Sequence, residues 1–185
     1  MSKRIVKSKY FHFILLLDIV TCIIRFALAK TYSNNIVIES MCVVILIFLS
    51  IFAFIDKEQN IVSDKLLIIA VAIWIIMIGG YIAMAREEGL ALLLFSLGGS
   101  FLGGIIFLIC YLITKGQVGG GDVKLSFVMG LFLTIERILP VIIYGTLFCS
   151  ICSIILLIMK KTTLKSTVPL VPFLHIGLCI TLMMM

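Results

Sequence analysis

Long apolar runs separated by short polar breaks dominate this chain. The runs cover approximately residues 11–29, 36–55, 66–85, 90–114, 123–135, 138–159 and 168 to the C-terminus. Most are near the roughly 20 residues that a helix needs to cross a bilayer. The pattern predicts an all-α polytopic membrane protein with six or seven transmembrane helices. The fifth run is the exception: 13 residues (123–135) rise only about 20 Å as a helix, against a hydrocarbon core of about 30 Å. The first run follows a basic start, as in a signal peptide. It is too long for one and shows no small-x-small cleavage site before Lys30, so it reads as a retained span.

Composition narrows the class further. The chain has 185 residues, 63% hydrophobic and 13% charged, with a mean hydropathy of +1.31. Soluble domains sit near 45–50% apolar and about 25% charged. A water-soluble enzyme and a disordered chain are both excluded, and after six or seven spans no length remains for a separate soluble domain. Residues 1–185 read as a single transmembrane domain, with 1–35 forming a basic N-terminus and first span.

Charge adds a direction. The net charge is +6, but the basic residues fall between apolar runs, where they orient helices rather than bind nucleic acid. With seven crossings and a cytoplasmic N-terminus, eleven basic residues lie inside, among them Lys3, Arg4, Lys7, Lys9, Lys57, Lys65, Lys115, Lys124, Lys160, Lys161 and Lys165. Lys30, Arg86 and Arg137 lie outside. The six cysteines lie within apolar runs and read as small buried hydrophobes. Cys149 and Cys152 form a C-x-x-C without the further ligands that a structural zinc site needs. Gly98, Gly99, Gly103 and Gly104 read as a close helix-packing surface.

Two breaks on the same expected side carry the candidate chemistry. FAFIDKEQNIVSDKLL contains Asp56, Glu58 and Asp64, and TKGQVGGGDVKLSF contains Asp122. Asp56 follows the end of one run and Asp122 precedes the start of another, which puts both at one membrane edge. Two carboxylates in a partly dry cleft share a proton and titrate as one unit. The ionised member takes a proton from water while the protonated one polarises a peptide carbonyl. Gly119, Gly120 and Gly121 allow positive φ and close backbone approach, so an extended peptide could lie against them. The same glycines also suit a plain turn into a helix. Asp122 at that helix start argues against a phosphate site.

VGGGDVKLSFVMGLFL resembles the G-x-G-D signature of the type IV prepilin peptidases. FIDKEQNIVSDKL resembles the other acidic signature of that family, and VPLVPFLHIG resembles a P-x-x-P-F-L segment of its last span. The three occur in family order over about residues 36–185. The resemblance implies a membrane aspartic endopeptidase with Asp56 and Asp122 as its catalytic pair. Asp64 matches the second acid of the first motif, which is not usually catalytic; with the three glycines it is a candidate substrate contact. It also implies a bacterial cytoplasmic membrane location, cleavage at the cytoplasmic face, and prepilin or pseudopilin substrates with a short basic leader. Long members carry two C-x-x-C pairs in an N-terminal segment that accompanies N-methyltransferase activity. This sequence resembles the short form, so no metal, S-adenosylmethionine or other cofactor is expected. Ser63 replaces a usual Pro, and His175 stands where a small or apolar residue is usual.

Other polar residues keep different readings open. Asp18 and Arg25, seven residues apart in the first run, lie on one helix face and read as a self-neutralising pair, or as contacts to substrate or a neighbouring helix. Lys124 reads as snorkelling to lipid phosphates or favouring an ionised Asp122. His175 reads as a buried histidine with a hydrogen-bond partner. Glu87, Glu88, Glu136 and Arg137 read as solvated loop ends. A small transporter or channel using Asp18, Arg25 and Asp122 is the rival function, and a catalytically degenerate scaffold is a third. Oligomeric state is not legible.

Overall fold

The computed structural model describes residues 2–29, 36–59, 62–114, 119–160 and 169–184. They form six helices: α1 Ser2–Ala29, α2 Ile36–Gln59, α3 Asp64–Met84, α4 Arg86–Ile113, α5 Gly120–Ile158 and α6 Val171–Met184. Lys30, Lys115, Lys161, Lys165, Val168 and the side chain of Glu58 lie outside the described residues. α2, α3, α4 and α5 are each long and apolar enough to cross a membrane. Their outward faces are apolar too: Ile68, Ile76, Leu94, Phe101 and Ile154 are all exposed. A soluble protein does not leave such contiguous apolar area in water, so these faces fit a lipid surround.

The fifth and sixth apolar runs are one element with a reversal inside it. Thr134 breaks α5 with φ 62° and ψ 177°, outside helical space. Gly103 of α4 faces both Ser126 and Ile138 of α5. In a straight helix those two residues would stand about 18 Å apart. They meet one glycine because the chain folds back at Thr134, giving a first arm (120–133) and a second arm (135–158). The sequence reading of a short fifth segment followed by a separate sixth holds, with the turn compressed to a single non-helical residue.

Glycine sets how tightly this hairpin sits on α4. A Cβ on Gly130 would lie 2.2 Å from the Gly99 carbonyl oxygen, and one on Gly99 would lie 2.4 Å from the Thr134 backbone. Backbone approach of this kind is what small-residue packing provides in membranes. Gly130→Ala is therefore expected to cost about 1–3 kcal/mol of stability, read as a lower melting temperature in detergent. Gly80→Ala, where nothing lies within 4 Å, is the control. On the other side, Gly177 of α6 packs on Val141 and Gly145 of the second arm.

One end of the bundle is held by a buried ion cluster. Arg25 donates through Nε and Nη2 to the Glu39 carboxylate, and through Nη1 to the Leu182 carbonyl. Arg137 donates to Glu39 Oε1 and to Cys42 Sγ. This corrects three expectations. Arg25 pairs with Glu39, not Asp18, because two helical turns separate Asp18 and Arg25 by about 10 Å. Arg137 is not a solvated loop end. Cys42 is a hydrogen-bond acceptor as well as an apolar filler.

Candidate active site

The opposite end gathers both acidic segments. α2 continues to Gln59, so Asp56 stands on the last turns of a helix rather than after it. It follows the fully buried Phe52 and Ala53 and is itself 5% exposed. Its Oδ2 accepts the Val171 N–H at 3.2 Å, an amide with no partner within α6 because it opens the helix. Asp122 is half-buried in the first turn of α5. The Gly119 N–H reaches its carboxylate, and the charge of Asp56 acts on it. Sixty-six residues apart in sequence, the two acids lie on segments that touch where Gly121 meets Val62 and Lys124 pairs with Asp64.

The three glycines do different things. Gly119 has φ −64° and ψ 136°, and none of the three adopts the left-handed backbone. Close approach, not positive φ, is the property in use. A Cβ on Gly121 would meet Val62 Cβ at 2.9 Å, whereas Gly119 lies under the Asp122 carboxylate and Gly120 faces open space. Gly121 thus seats the second acidic segment on the first. Lys124 Nζ and Asp64 Oδ1 add an exposed ion pair at 2.8 Å between the same segments. Lys124 is engaged by Asp64, an arrangement its snorkelling reading did not anticipate.

A second polar cluster lies among α1, α2 and α6. His175 Nε2 is 2.7 Å from Asp18 Oδ1 and 3.1 Å from Ser50 Oγ. Ser50 Oγ donates to Asp18 Oδ2 at 2.7 Å. The expectation of a partnered, buried His175 holds, and Asp18 is its partner. Cys179 Sγ lies 3.8 Å from the same nitrogen, and the Asp18, His175 and Cys179 donor atoms fall within 4.8 Å of one another. Oxygen, nitrogen and sulfur donors of this kind suit a metal such as zinc. The 2.7 and 3.1 Å separations are also those of direct hydrogen bonds.

Sequence reasoning missed Glu39. The available signal was a lone acid inside the second apolar run, which demands a cationic partner.

A family model described as the type IV leader peptidase family matches residues 43–154, more than half the chain. The chain belongs to the type IV leader peptidase family. The match spans Asp56, Asp64, the three glycines and Asp122, and identifies a protease fold carried by several apolar helices. It ends before α6 and begins after Glu39, so the VPLVPFLHIG segment and Asp18 and Arg25 of α1 lie beyond it. No curated protein and no solved structure matches the chain.

Proposed function

We propose that this leader peptidase family member is a membrane aspartic endopeptidase. It removes the short basic leader of type IV prepilin-like proteins at the cytoplasmic face of a bacterial membrane. The observation that carries this reading is the contact between the two acidic segments at one end of the bundle, Gly121 against Val62 and Lys124 paired with Asp64, which puts Asp56 and Asp122 in the same region. One carboxylate, ionised, accepts a proton from water. The other, protonated, donates to the peptide carbonyl as the hydroxide adds to carbon. Collapse of the tetrahedral species breaks the C–N bond, and the proton first taken from water passes to the leaving amine. Exposed Gly120 supplies an unobstructed backbone edge for the extended leader, beside Gly119 and Asp64.

The transporter reading finds no support in the charge arrangement. Asp18 is bound to His175 and Ser50, and Arg25 to Glu39. These are two separate closed clusters, not a file of charges leading to Asp122.

Co-expression with a series of prepilins and pseudopilins tests the proposal. The expected result is a leader-sized gel shift with the wild type. Intact precursors throughout, with membrane expression verified, would overturn it.

A further inference from the structure

The Asp18–Ser50–His175 cluster lies outside the proposed dyad and has no part in the hydrolysis itself. It is nevertheless tied to the site through a single helix. His175 and Val171 occupy successive turns of α6, about 6 Å apart along the axis. Val171 donates the hydrogen bond that Asp56 accepts, and Pro172, next in sequence, has no N–H to offer in its place. Ser50 and Asp56 share α2, so the cluster and the Asp56–Val171 bond connect α2 and α6 at two depths.

We infer that the Asp18–Ser50–His175 cluster positions Asp56, by setting how α6 sits on α1 and α2 and hence where the Val171 N–H points. The inference rests on the proposed catalytic role of Asp56. Three short polar contacts converge on this point, shared by one ring N–H and one hydroxyl hydrogen, with the Leu46 carbonyl a further acceptor for Ser50. Asp18 Oδ1 faces the ring nitrogen, Asp18 Oδ2 accepts the Ser50 hydroxyl, and the Ser50 oxygen faces the ring. His175 is 1% exposed, so water cannot replace a lost partner. On its other side α6 is pressed against the second arm of α5 at Gly177, which fixes lateral distance. That glycine contact makes no directional bond, and the cluster supplies one. His175, Asp18 and Ser50 are thus positioning residues that act through Val171.

The test is steady-state cleavage of a purified prepilin by detergent-extracted enzyme, with rates expressed per folded molecule. His175→Ala is expected to lower kcat about 10- to 100-fold, the scale of a sub-ångström to 1 Å misplacement of a reacting group, with KM within about 2-fold. His175→Gln, whose amide nitrogen stands where the ring Nε2 does and can still donate to Asp18, is expected to recover at least half of that loss on a logarithmic scale. Asp18→Ala combined with His175→Ala should be no worse than either alone, as for residues acting as a unit. Unchanged kcat in His175→Ala, or a change confined to KM, would overturn the positioning role, as would His175→Gln behaving no better than His175→Ala. Full activity of Asp56→Asn would overturn the catalytic reading and the positioning with it. Loss in Asp56→Asn together with an unaffected His175→Ala would overturn the positioning alone. One equivalent of zinc held by the wild type and lost in Cys179→Ser would also overturn it, by making the cluster a metal site.

Discussion

Replacing Asp56 or Asp122 by alanine is expected to lower leader cleavage at least about 1,000-fold, the scale of losing a general acid or base. In the proposed mechanism each acid does work that the other cannot take over. A lone carboxylate is either ionised or protonated at any instant, whereas peptide hydrolysis needs a base for water and an acid for the carbonyl. The double variant should fall no further than the single ones, since the residues act as a unit. The two positions differ in what else is lost. Asp56→Ala also strips the Val171 N–H of its acceptor, an added cost of about 1–3 kcal/mol for a buried donor. Asp56→Asn keeps an oxygen there and is the cleaner probe of chemistry. Single-turnover cleavage, paired with quantified membrane protein, checks the expectation. A variant that keeps a rate within 10-fold of the wild type would remove its residue from the dyad.

The second large effect lies at the other end of the bundle. Glu39→Ala is expected to destabilise the protein by about 3–5 kcal/mol, the scale for removing one partner from a buried ion pair. The side chains of Arg25, Arg137 and Glu39 are only 8, 12 and 16% exposed. Among the described residues Glu39 is the one acid paired with both guanidiniums, so its removal leaves two like charges facing each other. The expected outcome is a large drop in melting temperature and in accumulated protein. Arg137→Leu added to Glu39→Ala removes one of those charges and is expected to recover part of the loss. If the double variant were no more stable than Glu39→Ala, uncompensated charge would not be the cause.

Much of the architecture was legible because the bilayer imposes a simple requirement. Each backbone polar group must be satisfied within its own segment, so apolar length alone locates helices. The Asp56 and Asp122 segments were legible for a related reason: an acid at the edge of an apolar run is costly and conspicuous. What stayed hidden was partner choice. Asp18 and Arg25 share a face of α1, yet each reaches sideways to another helix, Asp18 to His175 of α6 and Arg25 to Glu39 of α2. Helical periodicity describes a face and carries no information about which helix will cover it. The same limit explains the glycines before Asp122. Their composition suggested an unusual backbone, but Gly121 is small because Val62 lies against it. The reversal at Thr134 was visible only as an apolar run too short to stand alone.

That short run bears on how a hydrolase immersed in lipid obtains its water. The first arm of α5, residues 120–133, ends at the Thr134 break and rises about 21 Å. A hydrocarbon core of about 30 Å exceeds it by about 9 Å, and the arm is enclosed by protein, with Lys124 its one exposed residue between 121 and 133. Asp122 opens this arm. A sheltered helix shorter than the core leaves room for water beyond its end, so hydration of Asp122 would follow from the length of one helix rather than from a dedicated channel.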